Sequence, residues 1–205
     1  MSSSSNRPNI ALTPLLTTAY LPPLWYWRSV CEAGVGAIEA CEHYQKGSWR
    51  NRCRIAGPNG PQELSIPLLK GKHQRLPIRE VHIACDEPWQ RAHWRTLATA
   101  YGSAPFFAHY APALAPFFEK KWDFLFDYNW ALLECLISLT RARVRLEPTE
   151  RFAPFPDGAK RDLRDRASVN AAAPLASEPY PQVFEDRYGF IPHLSVVDAL
   201  FCGAI

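Results

Sequence analysis

The stretch IALTPLLTTAYLPPLWYWRSVCEAGVGAIEAC, residues 10–41, decides the fold. Ile10–Thr17 is a short apolar run that ends in polar residues, which predicts a buried strand. The Pro-Pro pair at 22–23 suits the first turn of a helix, and Gly34 suits the residue that follows its last turn. Residues 36–41 predict a second strand. A strand, a helix and a strand with short links are typical of a parallel sheet.

Outward from this unit, the chain alternates between predicted strands and helices, and the apolar residues of 78–84 predict one of these strands. The motif GPNGP, residues 57–61, separates two alternating apolar runs and predicts a β-hairpin that turns at Asn59-Gly60. Asp86 and Asp127 precede amphipathic segments, and Ser195 precedes a short terminal helix. We therefore expect an α/β fold with a small, mostly parallel or mixed sheet, flanking helices and a projecting β-hairpin.

The domain organisation follows from length and local composition. A chain of 205 residues with 47% hydrophobic residues suits one domain. Residues 1–8, MSSSSNRP, predict a disordered tail. Residues 141–179 are first mixed in charge and then rich in Ala, Pro and Ser, which predicts an exposed, partly disordered insertion. Residues 9–140 and 180–205 are then expected to form a single domain.

Composition excludes several classes of function. The 23 basic and 20 acidic residues nearly balance, so we expect no nucleic-acid partner. The six cysteines form no CxxC pair, which argues against a disulfide scaffold and a zinc site. No apolar stretch is long enough to cross a membrane, and no secretory signal is recognisable. We expect a cytoplasmic protein in which no residues are assigned to a metal; the sequence does not specify a metal requirement, a cofactor or an oligomeric state.

The densest cluster of chemically versatile residues is HYQKGSWRNRCRI, residues 43–55. Guanidinium groups bind phosphate or carboxylate through paired hydrogen bonds, a lysine adds a point charge, and aromatic rings stack on a base or sugar. The competing interpretation is a strand face that is only solvated. As a binding site, the cluster would hold an anionic small molecule, a nucleotide sugar or an acyl donor, through Tyr44, Lys46, Trp49, Arg50, Asn51 and Arg52.

Candidate catalytic residues lie just before this cluster. Glu39 and Glu42 flank the end of the second predicted strand, and ligands of open parallel sheets bind outside the carboxyl ends of strands. Either glutamate is a candidate general base, with His43 as a proton carrier. The alternatives are ion pairs with the arginines and a surface histidine. Trp89 and His93, one helical turn apart, line either a pocket or the edge of the core.

Five blocks of the chain resemble the WbqC-like protein family, in the form found in Bacteroidetes-type bacteria. They occur in the family's order and together cover roughly residues 13–140 and 180–203. The blocks are LLTTAYLPPLWYW (15–27), HYQKGSWRNRCRIAGPNGPQELSIPL (43–68), PWQRAHWRTLATAYGSAPFF (88–107), PFFEKKWDFLFDYN (116–129) and YPQVFEDRYGFIPHLSVVDALF (180–201).

The resemblance implies a cytoplasmic role in the biosynthesis of O-antigen and other surface polysaccharides. It implies a transferase acting on a nucleotide-linked sugar or its acyl or aminoacyl donor; the alternative is a non-catalytic sugar-nucleotide or protein-binding module. Many relatives carry His-Gln-Pro where this chain has Leu16, Thr17 and Thr18. If that histidine is catalytic in them, this chain uses another base or lacks the chemistry. The segment 141–179 is a second departure.

Overall fold

A four-stranded parallel sheet and a two-stranded hairpin are embedded among helices. The computed structural model describes residues 12–69, 76–156 and 158–205. The predicted tail and Ile10 lie outside these residues. In chain order the elements are β1 (Thr13–Thr17), α1 (Leu24–Ala33), β2 (Val35–Glu39), β3 (Arg52–Gly57), β4 (Gly60–Ser65), α2 (Trp89–Tyr101), α3 (Phe107–Leu114), α4 (Leu125–Thr140), β5 (Arg145–Pro148), β6 (Lys160–Asp162), α5 (Glu185–Tyr188) and α6 (Val196–Cys202).

The unit β1-α1-β2 forms as predicted. Helix α1 follows Pro23 and ends at Gly34, whose φ of 69° is the left-handed conformation that glycine adopts without strain. Strands β1 and β2 are parallel, with Leu16 opposite Ile38. At Gly36 a Cβ atom would lie 2.7 Å from the Val30 side chain, so the glycine lets α1 pack closely on β2. The predicted α/β class is confirmed.

The order of strands across the sheet is β5-β2-β1-β6. The chain winds outward from β1 through β2 to β5, and then returns to add β6 on the other side of β1. All three pairings are parallel, so the carboxyl ends of all strands lie at one edge of the sheet. Because the direction of winding reverses between β1 and β6, this edge is where a doubly wound sheet binds ligands.

Residues 141–179, predicted as an exposed, partly disordered insertion, contain two mostly exposed strands and the turn that follows them. Strand β5 pairs with β2 over four residues, and β6 pairs with β1. Leu163 and Ala167, in the turn after β6, are buried. Edge strands are fixed largely by backbone hydrogen bonds, so they form here with few large apolar residues. Residues 168–179 form no helix, and their one bridge joins Ser168 to Ser48.

The predicted hairpin is confirmed. Strands β3 and β4 are antiparallel, with Gly57 opposite Gly60, so the two loop residues are Pro58 and Asn59, one position earlier than predicted. Cys53 and Ile55 of β3 are buried in the core, while most of β4 is exposed. The hairpin therefore adds a second wall to the core beside the parallel sheet.

Helical segments close the remaining sides of the core. Helices α2 and α4 follow the predicted amphipathic segments. Residues 78–84, predicted from their apolar pattern as a strand, instead begin with a 3₁₀ turn at Ile78–Glu80. Pro77 precedes this turn, and the Ile78 amide donates to the Glu42 carbonyl at 2.9 Å. Among the described helices, none has the length and apolar character needed to cross a membrane.

Ser195 caps the last helix, as its position before α6 predicts. Its hydroxyl oxygen accepts from the Val197 amide at 3.4 Å and donates to the Leu21 carbonyl at 2.8 Å. Asp198 does not complete a capping box, because its carboxylate accepts from the Tyr101 and Tyr180 hydroxyls at 2.7 Å each. Ser195 thus fastens α6 to the segment that leads into α1.

We expect Ser195→Ala to lower the free energy of unfolding by about 1–2 kcal/mol, because both the helix cap and a buried hydrogen bond are lost. Denaturant unfolding followed by circular dichroism measures the change. Ser103→Ala, at an exposed serine in the turn after α2, is the matched control and should alter stability by less than about 0.5 kcal/mol. Equal effects of the two substitutions would contradict the capping role.

Candidate functional site

Glu39 stands at the carboxyl end of β2 and holds three segments together. Its side chain is 1% exposed. One carboxylate oxygen, Oε2, accepts from the Arg164 guanidinium at 2.9 Å. The other, Oε1, accepts from the Thr149 hydroxyl at 2.6 Å and from the Cys41 amide at 2.9 Å. Glu39 therefore lies at the sheet edge as predicted, and both of its carboxylate oxygens already accept hydrogen bonds from neighbouring groups.

Arg164 follows β6 and is the charge partner of Glu39. Its guanidinium also donates to both carboxylate oxygens of Asp162, at 2.7 and 3.0 Å, and to the Ala153 carbonyl at 2.8 Å. Burial alone would raise the pKa of the Asp162 carboxyl, but the hydrogen bonds and charge of Arg164 lower it. The Phe152 ring lies 5.1 Å from the guanidinium. Arg164 thus joins β2, β6 and the loop between β5 and β6.

A cavity of about 730 Å³ lies beside this network. Its floor is the face of β1 and β2 opposite α1, formed by Thr13, Leu15, Val35 and Ala37. Its walls come from residues 147–156, and the ring of Phe155 at its rim is 92% exposed. Apart from Glu39, the charged residues that line the cavity are Glu147, Glu150, Arg151 and Lys160.

Arg50 and Glu42 form a buried ion pair. The Arg50 side chain is 1% exposed, and its Nε and Nη2 atoms donate to the two carboxylate oxygens of Glu42 at 2.8 and 2.5 Å. Burial raises the pKa of the Glu42 carboxyl, and the Arg50 guanidinium opposes this rise. Arg50 precedes β3, so it does not share an exposed strand face with Arg52 and Arg54. The predicted anion-binding arginine and one predicted base therefore neutralise each other inside the protein.

Other residues of the predicted binding cluster are mostly engaged with one another. The Tyr44 hydroxyl donates to the Asn51 side-chain oxygen at 3.0 Å, and the Asn51 amide donates to the Ile66 carbonyl at 3.0 Å. Trp49 is buried, with the Arg54 guanidinium 5.8 Å from its ring. These contacts tie the segment before β3 to the core.

Lys46 and His43 are exposed, and Arg52 pairs with Glu63 of β4 at 2.8 Å. These three side chains remain at the surface, where the sequence analysis expected a ligand. Ligand binding by the segment 43–55 stays a prediction, now carried by Lys46 and Arg52.

Trp89 and His93 lie at the edge of the core with Tyr20. The Tyr20 hydroxyl is 3.0 Å from Nδ1 of His93, and the Trp89 and His93 rings meet edge to face at 5.2 Å. Burial lowers the pKa of His93 to about 4. The imidazole is therefore neutral at pH 7, and the pair packs against an aromatic neighbour. Pocket lining by either residue stays a prediction.

Leu16, Thr17 and Thr18, the residues in place of His-Gln-Pro, lie at the carboxyl end of β1 and are buried. The Thr17 carbonyl accepts from the Tyr26 hydroxyl at 2.9 Å. The Thr18 hydroxyl has no hydrogen-bond partner within the described ranges. These three residues directly follow the part of β1 that pairs with β6.

Arg164, Thr149, Glu150 and Lys160 were missed in the sequence analysis, because all four lie in the segment interpreted as an insertion. One signal was available. A glutamate at the end of a buried strand needs a cationic partner, since an ionised carboxylate is rarely buried alone. The run RDLRDR at 161–166 offers such cations, although nothing in it specifies Arg164.

We expect Glu42→Ala to lower the free energy of unfolding by about 3–5 kcal/mol, because it leaves the Arg50 guanidinium buried without its partner. The double variant Glu42→Leu/Arg50→Met should be more stable than Glu42→Ala. Urea unfolding of the purified variants measures both. Glu63→Ala, which breaks the more exposed pair with Arg52, is the control and should cost at most about 1 kcal/mol. A Glu42→Ala effect no larger than this control would contradict a structural ion pair.

The stability of the fold should depend on pH through His93. Its pKa of about 4 in the folded state lies below the ordinary 6.5, so the unfolded chain binds more protons between these values. The contribution of the buried, neutral His93 to the free energy of unfolding is complete above pH 6.5 and is lost as pH falls towards 4. The loss reaches at most about 3 kcal/mol. Unfolding of the wild type and of His93→Gln should show a difference that shrinks over this range.

Ser103→Ala, at the exposed serine in the turn after α2, removes no titratable group and is the control: its difference in stability from the wild type should stay constant over this range. A constant difference between the wild type and His93→Gln across the range would show that His93 does not titrate with folding.

A comparison with protein-family models identifies the family of this chain. The family model of the WbqC-like protein family matches residues 18–166, which includes the strands β5 and β6. An uncharacterised protein of Mycobacterium tuberculosis is 30% identical over 179 residues, which cover 86% of this chain and 76% of that protein. No solved structure matches the chain. The predicted family is confirmed: the chain belongs to the WbqC-like protein family.

Proposed function

We propose that this chain is a transferase of bacterial surface-polysaccharide biosynthesis, such as that of O-antigen, which acts on a nucleotide-linked sugar or its acyl or aminoacyl donor. One observation carries the proposal: a cavity of about 730 Å³ on the open face of the sheet, which runs from the first residues of β1, β2 and β6 to the carboxyl ends of β2 and β5. Sites for small molecules typically have volumes of about 300–1,000 Å³. The cavity is therefore large enough for a donor of this class.

The lining of the cavity suits the parts of such a donor. Arg151 and Lys160 are cations that would neutralise phosphate oxygens. The exposed ring of Phe155 would stack on a sugar or base. Glu147 would accept hydrogen bonds from sugar hydroxyls. The apolar floor of β1 and β2 would pack against the faces of the rings.

We assign the proton-accepting role to Glu150 in place of the two predicted bases. Glu39 and Glu42 are each paired with a buried or nearly buried arginine. Glu150 is exposed, lines the cavity and has no ion pair among the described residues. Its carboxylate would take the proton of an acceptor hydroxyl or amine while that atom bonds to the transferred carbon of the donor.

The bond from that carbon to the phosphate or thiol leaving group breaks in the same step, and its electron pair goes to the leaving group. Arg151 and Lys160 would stabilise the negative charge that develops on a phosphate leaving group. Arg164 takes no part in proton transfer; it holds Glu39 and the wall of the cavity in place.

The alternative is a non-catalytic module that binds a sugar nucleotide or a protein. The ion pairs of Glu39 and Glu42 favour it, because they leave neither predicted base with an unpaired carboxylate. A module that binds a sugar nucleotide shares the ligand of the transferase and differs only in turnover, so one set of variants separates these two functions.

The test is binding of nucleotides, sugar nucleotides and acyl-CoA by thermal shift and calorimetry. Saturating a site at 100 times Kd stabilises a protein by about 2.7 kcal/mol, which a thermal shift detects. Lys160→Ala should weaken the ligand found by about 10- to 100-fold, because a charge-assisted hydrogen bond is lost. Lys121→Ala, at an exposed lysine outside the cavity, is the matched control and should leave the affinity unchanged.

Loss of affinity in Lys46→Ala or Arg52→Ala, with Lys160→Ala unaffected, would move the site to the segment before the hairpin. Glu150→Gln should keep the affinity and lower turnover by about 100-fold or more. Ligand binding without turnover by the wild type would favour the binding module. No binding by any ligand class would contradict the proposal.

A further inference from the structure

A second cavity, of about 660 Å³, lies at the edge of the sheet next to β5. It shares residues 147–150 with the cavity described above, so this short stretch forms a wall common to both. Its remaining lining residues are Cys41, Arg79 and Arg145. Cys41 follows β2, Arg79 lies in the 3₁₀ turn 78–80, and Arg145 begins β5. Three separate parts of the chain therefore meet around this space.

Arg79 presents a guanidinium group that no carboxylate neutralises within the described part of the chain. Its side chain is exposed, and the guanidinium carbon lies 4.7 Å from the centre of the Phe126 ring. A cation over an aromatic face is attracted by the ring electrons, so Phe126 restricts the orientation of Arg79 without consuming its hydrogen-bond donors. The donors remain available to a ligand.

Arg145 presents the second guanidinium group of the cavity. Its Nε atom lies 3.0 Å from a Glu147 oxygen, and its side chain is 81% exposed. An ion pair this exposed contributes about 0–1 kcal/mol, so an incoming anion can replace the glutamate at little cost. Arg145 and Arg79 can then bind the same anion from two directions.

We propose that this second cavity binds an oxyanion, phosphate or carboxylate, through Arg79 and Arg145. Guanidinium groups match the spacing of paired oxygens in both anions, and two of them on one cavity bind more strongly than one. Neither arginine was singled out by the sequence pattern, because one lies in a predicted strand and the other in the segment interpreted as an insertion.

The oxyanion belongs to the acceptor of the transfer reaction, an assignment that rests on the proposed function. A transferase that works by direct displacement, as proposed above, holds donor and acceptor at the same time, and the two cavities adjoin at the wall 147–150. Glu150 lines both cavities, so it faces the place where the two substrates would meet. Anion binding by Arg79 and Arg145 does not depend on this assignment and is tested without any donor.

The experiment titrates the full chain with inorganic phosphate and, separately, with acetate. Binding is followed by NMR of the arginine side-chain Nε–H groups at constant ionic strength. We expect one or both anions to shift the Arg79 and Arg145 signals. Arg79→Ala and Arg145→Ala should each weaken binding by about 10-fold or more. Arg79→Lys should recover part of the loss, since it restores the charge without the paired donors.

Arg143→Ala is the matched control, because Arg143 is an exposed arginine two residues before Arg145 that does not line the cavity. It should bind both anions like the wild type. A stronger response to phosphate identifies a phosphate-bearing acceptor, and a stronger response to acetate identifies a carboxylate-bearing one. The double variant Arg79→Ala/Arg145→Ala should retain the wild-type melting temperature, because both side chains are exposed.

Unchanged affinity in that double variant would overturn the proposal, as would the absence of a response to either anion in the wild type. Failure of the proposed function would give a different experimental result. It would leave nucleotide-sugar binding undetected in the wild type, while the phosphate or acetate response of Arg79 and Arg145 persisted.

Discussion

The ion pair between Arg164 and Glu39 is the contact on which the carboxyl edge of the sheet depends. It joins β2 to the turn after β6, although 125 positions separate the two residues in sequence. The pair is nearly buried, and a buried pair that loses one partner leaves an uncompensated charge at a cost of about 3–5 kcal/mol. The same guanidinium holds the Ala153 carbonyl, so it helps to fix the wall of the first cavity, which the Thr149 hydroxyl also joins to Glu39.

A second buried ion pair, Arg50 with Glu42, stabilises the segment that leads into the hairpin. The Asn129 amide of α4 donates to the Arg50 carbonyl at 2.7 Å, so the pair is also connected to a helix. Arg50, which looks like part of a ligand-binding surface in the sequence, thus has an interior role. The cations that line the two cavities come from other segments: Arg79, Arg145, Arg151 and Lys160.

Local patterns were sufficient for much of the fold. The helix between β1 and β2, its glycine end and the hairpin all follow from spacing and turn chemistry that involve only nearby residues. The strands β5 and β6 were not predictable in this way, because backbone pairing with β2 and β1 stabilises them rather than their own apolar residues. The candidate site was predicted less completely than the fold. Glu39 was placed correctly at the sheet edge, but its partners Thr149 and Arg164 come from the segment whose order was not expected.

The two outer strands also limit what the sheet can do. Strand β5 has the sequence RLEP and β6 has KRD, so both edges are short and rich in charge, and Pro148 lacks a backbone donor. An exposed edge with unpaired backbone groups invites pairing with a strand of another molecule, and short, charged or proline-containing edges resist it. The sheet is therefore closed to extension at both ends. Copies of this chain that associate would therefore meet elsewhere than at the two edges of the parallel sheet.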